Sequence, residues 1–135
     1  MSSSHFLITG ASSGIGAALA RRAAGPGIRL SLGGRDPARL SEVAAACRAT
    51  GAEVETCLID VTDRSAVRAW IEEADRGRRL DTVIASAGIS AGTGEGGESA
   101  EQVRRILAVN IDGVVNTVEP AIDVMRPRRQ GRIAL

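Results

Sequence analysis

Phe6-Leu7-Ile8-Thr9-Gly10-Ala11-Ser12-Ser13-Gly14-Ile15-Gly16 is the stretch whose reading decides the fold. A short apolar run enters a turn punctuated by glycine, and an alanine-rich segment from Ala17 to Ala24 leaves it. The pattern predicts strand, turn and helix in succession. A helix start leaves backbone N–H groups unpaired and carries the positive end of the helix dipole, so it attracts phosphate. Gly10 permits the sharp exit from the strand, Gly14 lets a pyrophosphate come close to the main chain, and Gly16 lets the helix press against the sheet. Ser12 and Ser13 add hydroxyls that reach phosphate oxygens or an adjacent ribose.

Outward from this turn, apolar runs of strand length alternate with helical periodicity, the pattern of an α/β protein with a doubly wound parallel sheet covered by helices on both faces. The first strand is expected over about His5 to Thr9 and the first helix over Gly14 to Ala24, stopped by Gly25-Pro26-Gly27. Ile28 to Leu32 reads as the second strand, followed by the turn Gly33-Gly34-Arg35. Asp36-Pro37 opens the second helix, with Asp as N-cap and Pro at the first helical position. Its apolar face is Leu40, Val43, Ala44 and Cys47. Glu53 to Ile59 is the third strand. Asp63 caps a third helix with inner face Val67, Trp70, Ile71 and Ala74, and Trp70 reads as packing, since no second aromatic or basic cluster accompanies it. Asp81 to Ala85 is the fourth strand. The glycine-rich Gly92 to Gly97 reads as a surface loop, because no strand runs into it and Glu95 would repel an anion. Ser99-x-x-Gln102 is a capping box that starts a fourth helix, which Pro120 is expected to kink or end before Met125. Arg126, Arg128, Arg129 and Arg132 read as a solvated basic loop, and Ile133-Ala134-Leu135 as the start of a fifth strand.

Composition narrows the classes. The 135 residues are 44% hydrophobic with a net charge of +1, which fits one globular domain, residues 1–135. Near-neutral charge gives no argument for nucleic acid or an anionic membrane surface. No apolar run approaches the ~20 residues of a membrane helix, and Met1-Ser2-Ser3-Ser4-His5 lacks the features of a signal peptide. Cys47 and Cys57 are not spaced as Cys-x-x-Cys and fit a reducing cytoplasm. His5 is the only histidine, so no histidine-rich metal site is expected.

In a doubly wound sheet, ligands lie at the carboxyl ends of the strands where strand order reverses. After the second strand, the site of an acidic residue that would hold a ribose 2′-OH is occupied by Gly34 and then Arg35, whose guanidinium suits a 2′-phosphate. Asp36 competes for that place, though its Pro neighbour favours capping. After the third and fourth strands come Asp60-Val61 and Ala85-Ser86-Ala87-Gly88. On the fourth helix, Val103, Ile106, Leu107, Asn110 and Val114 fall on one predicted buried stripe, so Asn110 should have hydrogen-bond partners.

The spacing Thr9-Gly10-x-x-x-Gly14-Ile15-Gly16 differs from the usual Gly-x-Gly-x-x-Gly and closely resembles the Thr-Gly-x-x-x-Gly-[Ile/Leu]-Gly motif of the short-chain dehydrogenase/reductase family. The resemblance implies a Rossmann-like sheet of about five strands, ordered 3-2-1-4-5 and incomplete on its C-terminal side. It implies cofactor contacts from Gly10, Ser12, Ser13, Gly14, Ile15, Gly16, Arg35, Asp60, Val61, Ser86, Ala87 and Gly88. NADP(H) is the preferred cofactor on the strength of Arg35, with NAD possible, because Ser13 stands where the family's other basic marker would be. Ser86 departs from the family's Asn-Asn-Ala-Gly and cannot reproduce the two-headed bonding of an amide. Val109-Asn110-Ile111-Asp112-Gly113 resembles the segment that carries the family's catalytic Asn, which helps hold a water in its proton relay.

The family's chemistry is hydride transfer between a nicotinamide and a carbonyl or alcohol carbon, with a Tyr as acid/base, a Lys that lowers its pKa, and a Ser that steadies the substrate. This chain has no Tyr and no Lys-bearing successor to a fifth strand. The expectation is the cofactor-binding portion of such an enzyme, cut short before the Ser and the Tyr-x-x-x-Lys and inactive alone. The parent would be a cytoplasmic homo-oligomer acting on a small carbonyl or alcohol substrate, whereas native assembly of this chain is doubtful. A non-catalytic NADP-binding module or inactive fragment is the alternative. A methyltransferase-type Rossmann domain is a third, disfavoured by Arg35 and the Thr9–Gly16 motif.

Overall fold

The computed structural model describes residues 3–90 and 95–135. Residues 1–2 and 91–94, the latter including the first half of the expected Gly92–Gly97 loop, lie outside that range. Five parallel strands, β1 (Ser4–Ile8), β2 (Ile28–Gly34), β3 (Glu53–Leu58), β4 (Thr82–Ile84) and β5 (Arg132–Ala134), form one sheet in the order 3-2-1-4-5. The helices are α1 (Gly14–Ala23), α2 (Pro37–Ala49), α3 (Arg64–Gly77), α4 (Ala100–Leu107) and α5 (Gly113–Met125).

Strand alternation divides the core into two layers. Ile8, Leu30 and Leu32 meet Ala17 and Ala20 of α1 and Leu40, Val43, Ala44 and Cys47 of α2 on one face. Leu7 and Val83 meet Val67, Ile71 and Ala74 of α3 and Ala121 and Met125 of α5 on the other. The small residues of α1 let it lie close to the sheet. Trp70 packs in the second layer, as read from the sequence, with its ring against Gly33.

The local start signals hold. Asp36 and Asp63 accept hydrogen bonds from Arg39 N and Ala66 N at 3.1 Å, and Ser99 and Gln102 close a reciprocal capping box. The long helix after the box departs from expectation. A π-helical turn over Ala108–Asp112 joins α4 to α5, and Gly113 N–H donates to Ala108 O. The extra residue rotates everything downstream by roughly 100°. The inward stripe is therefore Gly113, Asn116, Thr117, Pro120, Ala121 and Met125, while Val103, Leu107 and Asn110 are exposed. Pro120 does not end the helix, which continues to Met125. Its ring is buried on the packed face, so tertiary contact offsets one missing donor.

Arg128 also corrects the solvated-loop reading. Its guanidinium takes both oxygens of Asp75 at 2.8 and 3.1 Å and donates to the carbonyls of Val124 and Leu80. Asp75 in turn accepts from Leu80 N at 2.8 Å, so one partly buried ion pair gathers the end of α3, the approach to β4 and the end of α5.

Candidate functional site

At the carboxyl ends of β1 to β4 the chain leaves a cleft of about 880 Å³. Its floor is the turn after β1. Gly10 and Gly14 both adopt left-handed backbone, with φ of 62° and 56°, which side-chain-bearing residues rarely reach. A Cβ on Gly10 would stand 2.6 Å from Cα of Ala87, so this glycine also allows the β4 loop to cross the turn. Gly14 has open space where its Cβ would be, so its bare main chain faces the cleft. Ser13 is the N-cap of α1 and makes no side-chain cap bond, leaving the N–H groups of the first helical turn open to a ligand.

Thr9 ties the two loops together. Its buried hydroxyl accepts from Ser86 N at 3.0 Å and Ala87 N at 3.1 Å. The backbone ladder continues past the strands as Ala11 N donates to Gly33 O and Ile59 N to Gly34 O. The turn after β1 and the segments after β2 and β3 are thus held in fixed register around the opening.

Eleven of the residues singled out from the sequence line this cleft: Gly10, Ser12, Ser13, Gly14, Ile15, Arg35, Asp60, Val61, Ser86, Ala87 and Gly88. Gly16 stands behind it, where a Cβ would collide with the Gly10 carbonyl. Asn110 stands beside it. Its Oδ1 accepts from Ile89 N and its Nδ2 donates to Ile89 O, both at 2.9 Å, so the amide grips the main chain of one residue in the β4 loop on both sides of its Cα. The partners expected for it exist, although the side chain is exposed rather than buried.

The sequence reading missed Pro37, Ile59, Ile89 and Val109 as walls, placed Gly34 only as the residue standing where an acidic one would be, and gave Asp36 only a competing role. Gly34, Pro37 and Ile59 are next to residues already named and follow from strand register. Asn116 was also missed. It is buried and donates to Val61 O at 2.9 Å, fixing the loop after β3 against α5.

The Asp60 carboxyl lies below its ordinary range. The Thr62 backbone N–H donates to it at 3.0 Å and the Thr62 hydroxyl at 2.8 Å, outweighing the upward push of burial, and the charges of Arg35 and Arg105 add to the effect. Both Thr62 bonds fall on Oδ1. The cleft therefore combines open amide donors, a guanidinium and an ionised carboxylate. Among the described residues no group of three or more His, Cys, Asp or Glu could hold a metal ion.

A sequence model of the family described as short chain dehydrogenase matches residues 4–135. A 3-dehydrosphinganine reductase of Arabidopsis thaliana is 37% identical over 129 residues, which cover 95% of this chain and 38% of that protein. An uncharacterized oxidoreductase of Staphylococcus saprophyticus is 33% identical over 129 residues, covering 94% of this chain and 55% of its own length. Among solved structures, a short-chain dehydrogenase from Sphingobium yanoikuyae in complex with NADPH superposes with a TM-score of 0.84 at 33% identity, covering 96% of this chain and 51% of that one. An alcohol dehydrogenase from Comamonas testosteroni gives 0.86 at 26% identity, covering 98% and 54%. The chain spans between 38% and 55% of the length of these relatives.

Proposed function

This chain belongs to the short chain dehydrogenase family, matched over residues 4–135, and on that premise we propose that it is the NADP(H)-holding part of an oxidoreductase acting on a small carbonyl or alcohol substrate. One observation carries the reading: the open first turn of α1, Arg35 after β2, Asp60-Val61 after β3 and Ser86 to Gly88 after β4 line a single cleft. The fit is physical. Bare main chain at Gly14 and unpaired amides at the helix start match a pyrophosphate, and the exposed Arg35 matches a 2′-phosphate.

The bound dinucleotide would supply the hydride that moves between the nicotinamide and the substrate carbon. The residues of this chain bind and orient. The first turn of α1 neutralises pyrophosphate charge, and Asp60 and the Val61 backbone face the adenine. Ala87 and Gly88 keep the β4 loop low enough for close approach, and Ser86 offers one hydroxyl there. Asn110 fixes the Ile89 main chain and, with it, the loop that borders the reacting end. In the family this residue also serves a proton relay, and that role is proposed here for Asn110.

A second reading has its own support. The 135 residues contain no tyrosine and no lysine, so by themselves they offer none of the family's acid/base pair. For this polypeptide alone, binding without turnover is expected. The two free thiols fit a cytoplasmic location, and no described helix is long and apolar enough to cross a membrane.

Titration calorimetry of the folded chain with NADPH, NADH and S-adenosylmethionine tests the reading. NADPH is expected to bind most tightly, and Arg35→Ala to narrow its advantage over NADH by about tenfold, the scale of one charge-assisted pair. Heat from neither dinucleotide overturns the cofactor assignment.

A further inference from the structure

Arg105, in the last turn of α4, is a second cation near the cleft. It precedes Val109 by one helical turn, and Val109 is a buried wall of the cleft. Side chains four apart share a helix face and lean toward the helix N-terminus. α4 starts from the loop at the carboxyl end of β4, so that lean carries Arg105 outward to the rim above Val109. Its charge and that of Arg35, in the turn after β2, both act on Asp60. Arg105 is exposed and forms no ion pair among the described residues. Asp36, the other carboxylate lining the cleft, already faces Arg39 at 3.6 Å. Two guanidiniums thus face one unshared carboxylate, leaving a positive balance at this end.

We propose that Arg105 is a specificity-determining residue of the cleft, acting from α4, one turn before the lining residue Val109, to favour the 2′-phosphorylated dinucleotide over its unphosphorylated form. The inference rests on the cofactor reading above. A 2′-phosphate adds about two negative charges at the adenosine end, and a cation near the cleft attracts it even without direct contact. Such attraction weakens with salt on the scale of a Debye length, whereas packing against the adenine ring would not.

The test compares Arg105→Ala and Arg105→Lys with the unaltered chain by calorimetry, using NADPH and NADH at low and high salt. Arg105→Ala is expected to weaken NADPH about fivefold at low salt, less at high salt, and NADH by less than about twofold. Arg105→Lys is expected to restore most of the difference, because charge and not fork geometry is at work. Equal weakening of both dinucleotides, or no change in either, overturns the inference while leaving the cofactor reading intact, provided the unaltered chain binds NADPH. If the unaltered chain binds neither, the cofactor reading itself fails. Arg105 is exposed, so unchanged thermal unfolding serves as the control for folding.

Discussion

His5 is fully buried on β1, with Nδ1 2.8 Å from the Arg78 carbonyl and Nε2 2.8 Å from the Ser31 hydroxyl. A carbonyl only accepts, so Nδ1 carries the proton and Nε2 accepts from Ser31 in the neutral ring. Burial lowers the pKa of this histidine, the Arg78 carbonyl opposes that, and the charges of Arg29 and Arg78 outweigh the pull of Glu55. Since the folded value lies below the unfolded one, the unfolded chain takes up a proton first as pH falls. Stability is then full above about pH 6.5, falls as the pH drops toward the folded value, and levels off below it. As the only histidine in the sequence, His5 makes the window clean. Urea unfolding at pH 8, 6.5 and 5.5 is expected to show this loss in the unaltered chain, and a flatter profile in His5→Phe. An unaltered chain equally stable across the range would contradict the geometry. Nothing in the sequence around His5 announces this, because the two partners of its ring come from β2 and from the residue after α3. By contrast, Gly10 was legible, since its turn is local and its role needs only the neighbouring residues.

The elements divide along the same line between local and distant causes. Asp36-Pro37, Asp63 and Ser99-x-x-Gln102 fix their helix starts through bonds three residues long, so each was readable in advance. The π-helical turn was not. Apolar residues recur at helical spacing on both sides of it, and periodicity cannot register one inserted residue. What the turn achieves is visible only across the fold, where it presents Asn110 to Ile89 and Asn116 to Val61 on different sides of one helix. Arg128 escaped for a similar reason, as its carboxylate partner lies 53 residues earlier. Asn110→Ala removes both bonds to the Ile89 main chain. Because the site is exposed and water replaces part of the loss, a stability cost of about 1 kcal/mol is expected. Hydrogen exchange is expected to quicken at Ile89 while the amides of α5 keep their protection. A change spread through α5 instead would mean that Asn110 holds the helix and not the loop.

The whole sheet ends in β3 on one side and β5 on the other, and β5 pairs with β4 alone among the described strands. Order 3-2-1-4-5 was legible from the alternation of strand and helix together with the resemblance at the glycine turn, because right-handed crossovers leave few ways to wind such a chain. What the pattern could not show is which apolar residues the wound sheet leaves outside. Val103, Leu107, Ile111 and Val115 are 40%, 51%, 54% and 47% exposed and recur every four residues through α4, the π turn and the start of α5. The stripe begins on α4 and continues across the π turn into α5, opposite the buried Val109, Gly113 and Thr117. Scattered apolar residues on a surface mean little, but a continuous row invites association. Sedimentation velocity over a concentration series is expected to show a weight-average mass that rises with concentration. Leu107→Glu combined with Ile111→Glu replaces two apolar side chains worth about 1.5–3 kcal/mol each when buried, so association should weaken by at least about tenfold. The cleft lies apart from these two side chains, and NADPH affinity should therefore be preserved in the variant. A monomer at every concentration would overturn the prediction, whereas association indifferent to both substitutions would place the contact elsewhere, with the outer edge of β5 the next surface to alter.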